Sequence, residues 1–476
     1  MCVRLARTTG LSWAWAALLA LAACQQAPSG LTPVTLVVTG GTVVTVDAGG
    51  RVLSPGAVAI DGPRIVAVDT PEAIAGRYQA ASTIDATGRV VLPGLINTHT
   101  HAPMVLYRGL ADDLALMDWL QKYIFPAEAR TVTPAFVRAG TQLAALEMIR
   151  TGTTAYADMY YFEEEVARAT REAGLRGVLG QTIIEFPVPD APTPAAGLAR
   201  AEAFITSFKD DELVTPAVAP HAMYTLDEAA LRASRDLAAT HGVPMLIHLA
   251  ETEDEVRIMA ERHGQRPVAY LDSRSLWAPR TIAAHGVWVT PEEIAVLAAR
   301  GVGVAHNPES NMKLASGTAP VPGYLGAGLP LGLGTDGAAS NNDLDMFEAM
   351  RQAAFLHKLA TKDPRAVSAR DALQMATIGG ARVLGREREL GSLEAGKLAD
   401  LIVVRMTRPG QTPMYDPVSH LVYATHGSDV ETTIVHGRVL MRDGRVLTLD
   451  ENAVLAAARQ AAEGVRAAVA STAARR

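Results

Sequence analysis

Two histidines one residue apart, His99 and His101, close an apolar, β-prone run that starts near Val90 and passes through Pro93 and Gly94. On a strand, residues two apart point to the same side, so both imidazoles can face one point in space. Neutral imidazole is the commonest ligand for zinc and similar ions. The spacing alone also fits two unrelated polar residues at a strand end. Four later segments, however, repeat the pattern of an apolar strand ending in a polar side chain. Residues 218–221 end at His221, 245–248 at His248 with Glu251 three residues on, 282–285 at His285, and 331–336 at Asp336. Five of the twelve histidines fall at such ends. Isolated core histidines have no reason to sort that way.

The elements that must carry these residues follow from hydrophobic periodicity. From Pro93 onward, apolar strands alternate with longer helical patterns. Helices are expected over 133–150, 162–173, about 194–208, 226–241, 252–263, 291–300 and from Asp343; strands over 152–158, 175–185, 215–220, 244–248, 281–285, 303–305 and 331–333. Such β/α alternation implies a parallel sheet, and about eight units imply a closed (β/α)8 barrel. Catalytic residues of that architecture sit at the C-terminal ends of the strands.

On either side of the barrel the texture is different. Residues 35–69 are rich in Val, Thr and Gly with hairpin-type turns at 47–50 and 61–63, and β texture returns near Gly391 with a hairpin turning at Asp443 and Gly444. The two flanks are expected to pair into one small sandwich-like domain built from both ends of the chain. The resulting division is 1–23 signal, 24–33 tether, 34–92 and 391–450 the sandwich, 93–390 the barrel, and 451–476 a C-terminal helix docked on the surface.

Composition narrows the partners. A formal net charge of −7 over 476 residues is mild and does not make the basic stripe that nucleic acid requires. The first residues read as an export signal: Arg4 and Arg7 precede an apolar stretch at 11–23, too short to span a bilayer as a helix. The stretch ends Leu21, Ala22, Ala23, Cys24, which resembles the lipobox of bacterial lipoproteins. That resemblance implies cleavage before Cys24, lipidation of its thiol and new amino terminus, and, with Gln at 25, an anchor in the outer membrane facing the periplasm. An ordinary secretory signal with an incidental Cys is the alternative. The two cysteines are Cys2 and Cys24, so the folded body has neither disulfide nor thiolate ligand. Any metal site must be built from His and carboxylates.

The order His99, His101, His221, His248, His285, Asp336 resembles the amidohydrolase superfamily. The phrases at 93–101, 306–308 and 334–337 resemble its branch of S-adenosylhomocysteine/methylthioadenosine deaminases, cytosine deaminase and triazine hydrolases. The similarity runs from about Thr35 to Leu449, and its motifs specify the superfamily far better than the substrate. It implies one divalent ion held by His99, His101, His248 and Asp336, with a place left for water whose pKa the ion lowers. Zinc is the first expectation, although a site of nitrogen and oxygen donors also suits iron or manganese. Binuclear relatives carry a lysine where this chain has His221, so a single ion is expected.

The remaining roles follow the same resemblance. Asp336 is ligand and proton shuttle, and His285 orients the nucleophile or serves as a fifth ligand. Glu251 is placed to protonate a ring nitrogen, as aromatic deamination requires, or else is only an acid at a helix N-terminus. Glu128 matches a glutamate that contacts ribose hydroxyls, and His221 a histidine that contacts the base. Trp119 and Tyr107 are candidate walls for a planar ring. Asn307, Ser310, Asn311 and Lys313 form a polar loop that borders the site or closes a turn. One departure stands out: deaminases of S-adenosylhomocysteine usually have an arginine just past the third strand, where this chain reads Gln181 to Glu185.

The reaction implied is deamination of an aminated heterocycle, foremost an adenosine-like nucleoside, with release of ammonia. Hydrolysis of a cyclic amide, or of a triazine C–Cl or C–N bond, is the alternative within the family. A surface-binding lipoprotein without catalysis is the alternative outside it, disfavoured by the complete set of ligands. The partner is thus a small heterocyclic molecule, with membrane contact only through the lipid anchor. Relatives of this kind are often dimers or larger, so a homo-oligomer is an expectation.

Overall fold

The computed structural model describes residues 30–473. The expected signal segment and the lipidation candidate Cys24 lie outside the described residues. Eight parallel strands form one sheet in chain order: Leu95–Thr100, Thr153–Tyr160, Arg176–Ile183, Val214–Pro220, Met245–Leu249, Thr281–His285, Gly303–His306 and Leu331–Leu333. Registers such as Leu246 on Ile282 and Ala305 on Gly332 confirm the parallel sense.

The first and last strands close the barrel without a regular ladder. The Thr98 hydroxyl donates to the Leu333 carbonyl at 2.8 Å, Asn97 Nδ2 to Thr335 Oγ1 at 2.7 Å, and the Asp336 amide to the His99 carbonyl at 2.9 Å. This seam demands small residues. A Cβ on Gly332 would lie 2.5 Å from Thr98 Cγ2, and one on Gly334 2.9 Å from the His99 nitrogen. Closure therefore brings the His99 and Asp336 strand ends together.

Inside the barrel the core is small and aliphatic. Ala155, Ala157, Val178, Ala217, Leu246 and Ile282 belong to one buried cluster that Met159 joins. The helices outside are delimited by local signals. Thr252 caps Glu253–His263, which ends at left-handed Gly264; Thr290 and Glu293 form a capping box on Pro291–Arg300.

The run around residues 90–102 is divided between two sheets. Arg89–Pro93 pairs antiparallel with Leu401–Arg405, while Leu95–Thr100 enters the barrel. Gly94 is the crossover, its amide bound to the Asp400 carbonyl at 3.0 Å. The outer sheet has nine strands and is mixed. Its antiparallel meander Thr32–Val44, Val52–Asp61, Arg64–Asp69 joins Leu401–Arg405, Val430–Val435 and Arg438–Arg442 through Arg89–Pro93. Parallel pairing enters where Thr32–Val44 meets Tyr78–Asp85 and Arg89–Pro93.

A buried ion pair ties this sheet to the barrel. Arg176 Nε and Nη2 reach the Asp400 carboxylate at 2.9 and 3.2 Å, and the same carboxylate accepts the His436 amide at 2.7 Å.

The structure shifts some expected elements. The helix expected from Asp343 is Met346–Thr361, because Asp345 caps it by accepting the Phe347 amide. The polar loop after the seventh strand is the short helix Pro308–Lys313. Helical turns fill residues 116–131, and Pro267–Ser273 is a further helix. These pieces are too short for periodicity to reveal. The C-terminal helix Glu451–Ala473 buries Val454, Ala458 and Val465. No helix among the described residues is long and apolar enough to cross a membrane.

Candidate active site

The strand ends named above converge at one mouth of the barrel. A cavity is lined there by His101, His221, His248, His285, Glu251 and Asp336. His99 lies directly beneath, its ring centroid 4.9 Å from that of His101, 5.0 Å from His248 and 5.5 Å from His285. The segment between the first strand and its helix covers the site, supplying Leu116, Trp119, Leu120, Ile124, Phe125 and Glu128.

Backbone carbonyls set the tautomers of two imidazoles. His101 Nδ1 lies 2.7 Å from the Met159 carbonyl and His248 Nδ1 2.9 Å from the His221 carbonyl. A carbonyl only accepts, so each Nδ1 carries the proton and each neutral ring turns an Nε2 lone pair inward. Those two Nε2 atoms are 3.3 Å apart. His99 Nε2 is buried with no hydrogen-bond partner, and Asp336 Oδ1 lies 3.4 Å from both His99 Nε2 and His101 Nε2. Facing lone pairs at this distance repel unless a cation lies among them. His99, His101 and His248 offer ligand atoms within 4.8 Å of one another, as do His99, His285 and Asp336, and such an array of imidazoles with a carboxylate fits a divalent ion.

Electrostatics separates the acids. Burial pushes the Glu251 carboxyl well above the usual carboxylate range, and the charge of Asp336 adds to it. Burial also opposes ionisation of Asp336, but the His99, His285 and His101 imidazoles outweigh it and hold its carboxyl well below that range. Burial lowers His99 to about 4 and His221 to about 3, so both rings are neutral near neutral pH. The two carboxyls are thus pushed in opposite directions, the division that acid and base roles require.

Strained backbone aims three of these groups. His285 (φ 72°), Asp336 (φ 64°) and Ala250 (φ 50°) adopt left-handed conformations that non-glycine residues rarely accept. The turn at Ala250 delivers Glu251 into the cavity, and the Glu255 carboxylate holds it by accepting the Ala250 and Glu251 amides at 3.0 and 2.8 Å. Glu251 precedes the N-cap Thr252, and Glu253, Asp254 and Glu255 occupy the first helical turn. Stabilising that helix end is therefore the task of those acids and not of Glu251.

The polar segment after the seventh strand borders the site. Ser310 and Ser340 donate to Asp336 Oδ2 at 2.7 and 3.0 Å, and the Gly337 amide donates to Oδ1 at 2.7 Å. His285 Nδ1 donates to Asn311 Oδ1 at 2.9 Å, which points Nε2 toward Glu251 Oε2 (3.8 Å) and Asp336 Oδ2 (4.0 Å). Lys313 turns away to Asp112.

Glu128 lines the cavity and is buried, accepting the Tyr160 hydroxyl at 2.7 Å; burial raises its carboxyl to about 7. Tyr160 and Tyr161 escaped the sequence reading, although an aromatic pair at the end of the second strand was a usable signal. Ser340 and Glu255 had none. Trp119 is a wall as expected, but Tyr107 is not. It is buried away from the cavity, bonded to Thr131 and packed 5.1 Å from Phe136, because its segment turns that ring toward the helix layer. Gln181 is also buried outside the cavity, donating to Asp190 at 2.9 Å.

Comparison with known proteins agrees with this geometry. The amidohydrolase family model matches residues 90–440. The chain is 49% identical to a 5-methylthioadenosine/S-adenosylhomocysteine deaminase of Syntrophobacter fumaroxidans over 90% of this chain and 98% of that one. It is 45% identical to a 5'-deoxyadenosine deaminase of Methanosarcina mazei, over 88% and 96% respectively. A solved adenosine deaminase of Xanthomonas campestris with bound zinc superposes with a TM-score of 0.90 at 40% identity, covering 92% of this chain and all of that one.

Proposed function

The chain belongs to the amidohydrolase family, and from that premise we propose that it hydrolytically deaminates an adenosine-like nucleoside, releasing ammonia. The observation that carries this reading is that Glu251 and Asp336 line one cavity beside the inward-facing imidazoles, with their carboxyls pushed in opposite directions. One divalent ion, foremost zinc, is held in this reading by His99, His101, His248 and Asp336. When bound it supplies Lewis acidity that makes a neighbouring water nucleophilic near neutral pH.

The chain's own groups perform the proton transfers. Glu251 gives its proton to the ring nitrogen next to the amine-bearing carbon, which makes that carbon electrophilic. Asp336 takes a proton from the attacking water, which His285 Nε2 orients. It passes that proton to the amine as the C–N bond breaks, and ammonia leaves. The last hydroxyl proton returns to Glu251, and the ring nitrogen keeps the first. Water and aminated ring thus become lactam and ammonia. His221 contacts the base, and Glu128 accepts from the ribose diol, kept in place by Tyr160.

The test is ammonia release by zinc-loaded protein from residue 25 onward. Adenosine, 5'-deoxyadenosine and methylthioadenosine are the substrates, with a chlorotriazine and a cyclic amide as controls. Hydrolysis of a control with no ammonia from any nucleoside would replace this reading. We also propose, from residues 21–24, that Cys24 carries a lipid that anchors the enzyme in the outer membrane facing the periplasm. Radiolabelled palmitate entering the wild-type chain and equally the Cys24→Ala chain would refute that anchor.

A further inference from the structure

The cavity wall away from the histidines is apolar, and the acidic side chains of the cavity have no basic side chain beside them on its lining. Leu116, Trp119, Leu120, Ile124, Phe125 and Leu314 contribute the apolar part. The carboxyls are Glu128, Glu251 and Asp336; among the described residues no arginine or lysine lines the cavity. Nearby basic side chains are engaged elsewhere. Lys313, next to the wall residue Leu314, binds Asp112 and Asn342. Arg108 pairs with Glu147. Arg262 lies in a neighbouring outer groove that shares Leu120, Phe125 and Tyr224 with the cavity, and it donates to the Tyr224 carbonyl at 3.2 Å.

A carboxylate carried against this wall loses its water and meets no cationic side chain. An uncharged group loses little and gains the apolar wall. Relatives of this chain carry names that span both kinds of nucleoside, with an amino-acid tail and with a bare or alkylthio 5' carbon. Resting on the deaminase reading above, we infer that this cavity selects adenine nucleosides whose 5' substituent is uncharged and apolar. It discriminates against a substituent ending in a carboxylate. The determinants are the wall residues Leu116, Leu120, Ile124 and Phe125, together with the absence of a cationic partner.

The experiment compares kcat/KM of the zinc-loaded enzyme for methylthioadenosine, 5'-deoxyadenosine and S-adenosylhomocysteine. The carboxylate-bearing nucleoside is expected to be at least about tenfold poorer than the other two. Leu116→Arg, which places a cation at the wall, should narrow that gap by raising the value for S-adenosylhomocysteine. Arg262→Ala should leave the wild-type ranking unchanged. Equal or better use of S-adenosylhomocysteine overturns the inference. If Arg262→Ala then abolishes that use selectively, the outer groove accepts the tail. Ammonia from none of the three nucleosides defeats the deaminase reading itself, and this inference with it.

Discussion

Ser310 donates its hydroxyl to Asp336 Oδ2 at 2.7 Å, and Ser340 donates to the same oxygen at 3.0 Å. That oxygen is thereby held by two neutral donors, while its twin Oδ1, which accepts the Gly337 amide at 2.7 Å, lies 3.4 Å from the Nε2 atoms of His99 and His101. Hydrogen bonds to a charged group contribute roughly 1.5–3 kcal/mol. Ser310→Ala or Ser340→Ala should lower kcat about tenfold and the double substitution more. KM and bound metal should be little changed, as steady-state kinetics and elemental analysis would report. Loss of metal together with activity would assign the serines to the ion and not to proton transfer.

In the proposed reaction Glu251 supplies the proton that separates deamination from other hydrolyses. Glu251→Gln should reduce ammonia release by about 10²- to 10⁴-fold without loss of metal or fold. Wild-type rates from this variant would move the acid role to another group.

Removal of the ion should abolish activity. A chelator should bring ammonia release to background, and added zinc should restore it. His248→Ala should not recover, because it removes one inward Nε2 and breaks the contact of Nδ1 with the His221 carbonyl. Full activity in metal-free protein, verified by elemental analysis, would contradict the donor set.

Glu128 gives stability a pH dependence. Its folded carboxyl is raised to about 7 from 4.5, so between those values the folded state holds a proton that the unfolded chain has lost. Stability therefore falls as pH rises through this window, by about 3 kcal/mol in all. Glu128→Gln removes the slope and should gain on the wild type between pH 5 and pH 8.5 in urea denaturation. A gap that stays constant across that range would show Glu128 to be ionised throughout.

The Arg176–Asp400 pair joins barrel to outer sheet with both side chains at most 4% exposed. Asp400→Ala strands a buried guanidinium and should cost about 3 kcal/mol or more. Pairing Asp400→Leu with Arg176→Met should recover much of that loss. A double variant no better than the single would point to the lost His436 amide contact as the main cost.

Much of this protein is local in origin. The alternation of apolar strands and amphipathic helices announces the barrel, since side-chain period follows backbone geometry alone. A polar residue closing five of the eight strands identifies His99, His101, His221, His248, His285 and Asp336, because parallel strands end at one face whatever lies between them. The tertiary structure decided what those ends meet. It divided the run near Gly94 between two sheets, turned Tyr107 away and Trp119 in, and brought Ser310, Asn311, Ser340 and Tyr160 onto the site residues. It also joined Arg176 to Asp400 across 224 positions of sequence. Such contacts follow from barrel closure and from burial that leaves each polar atom in need of a partner, conditions that no local pattern of residues encodes.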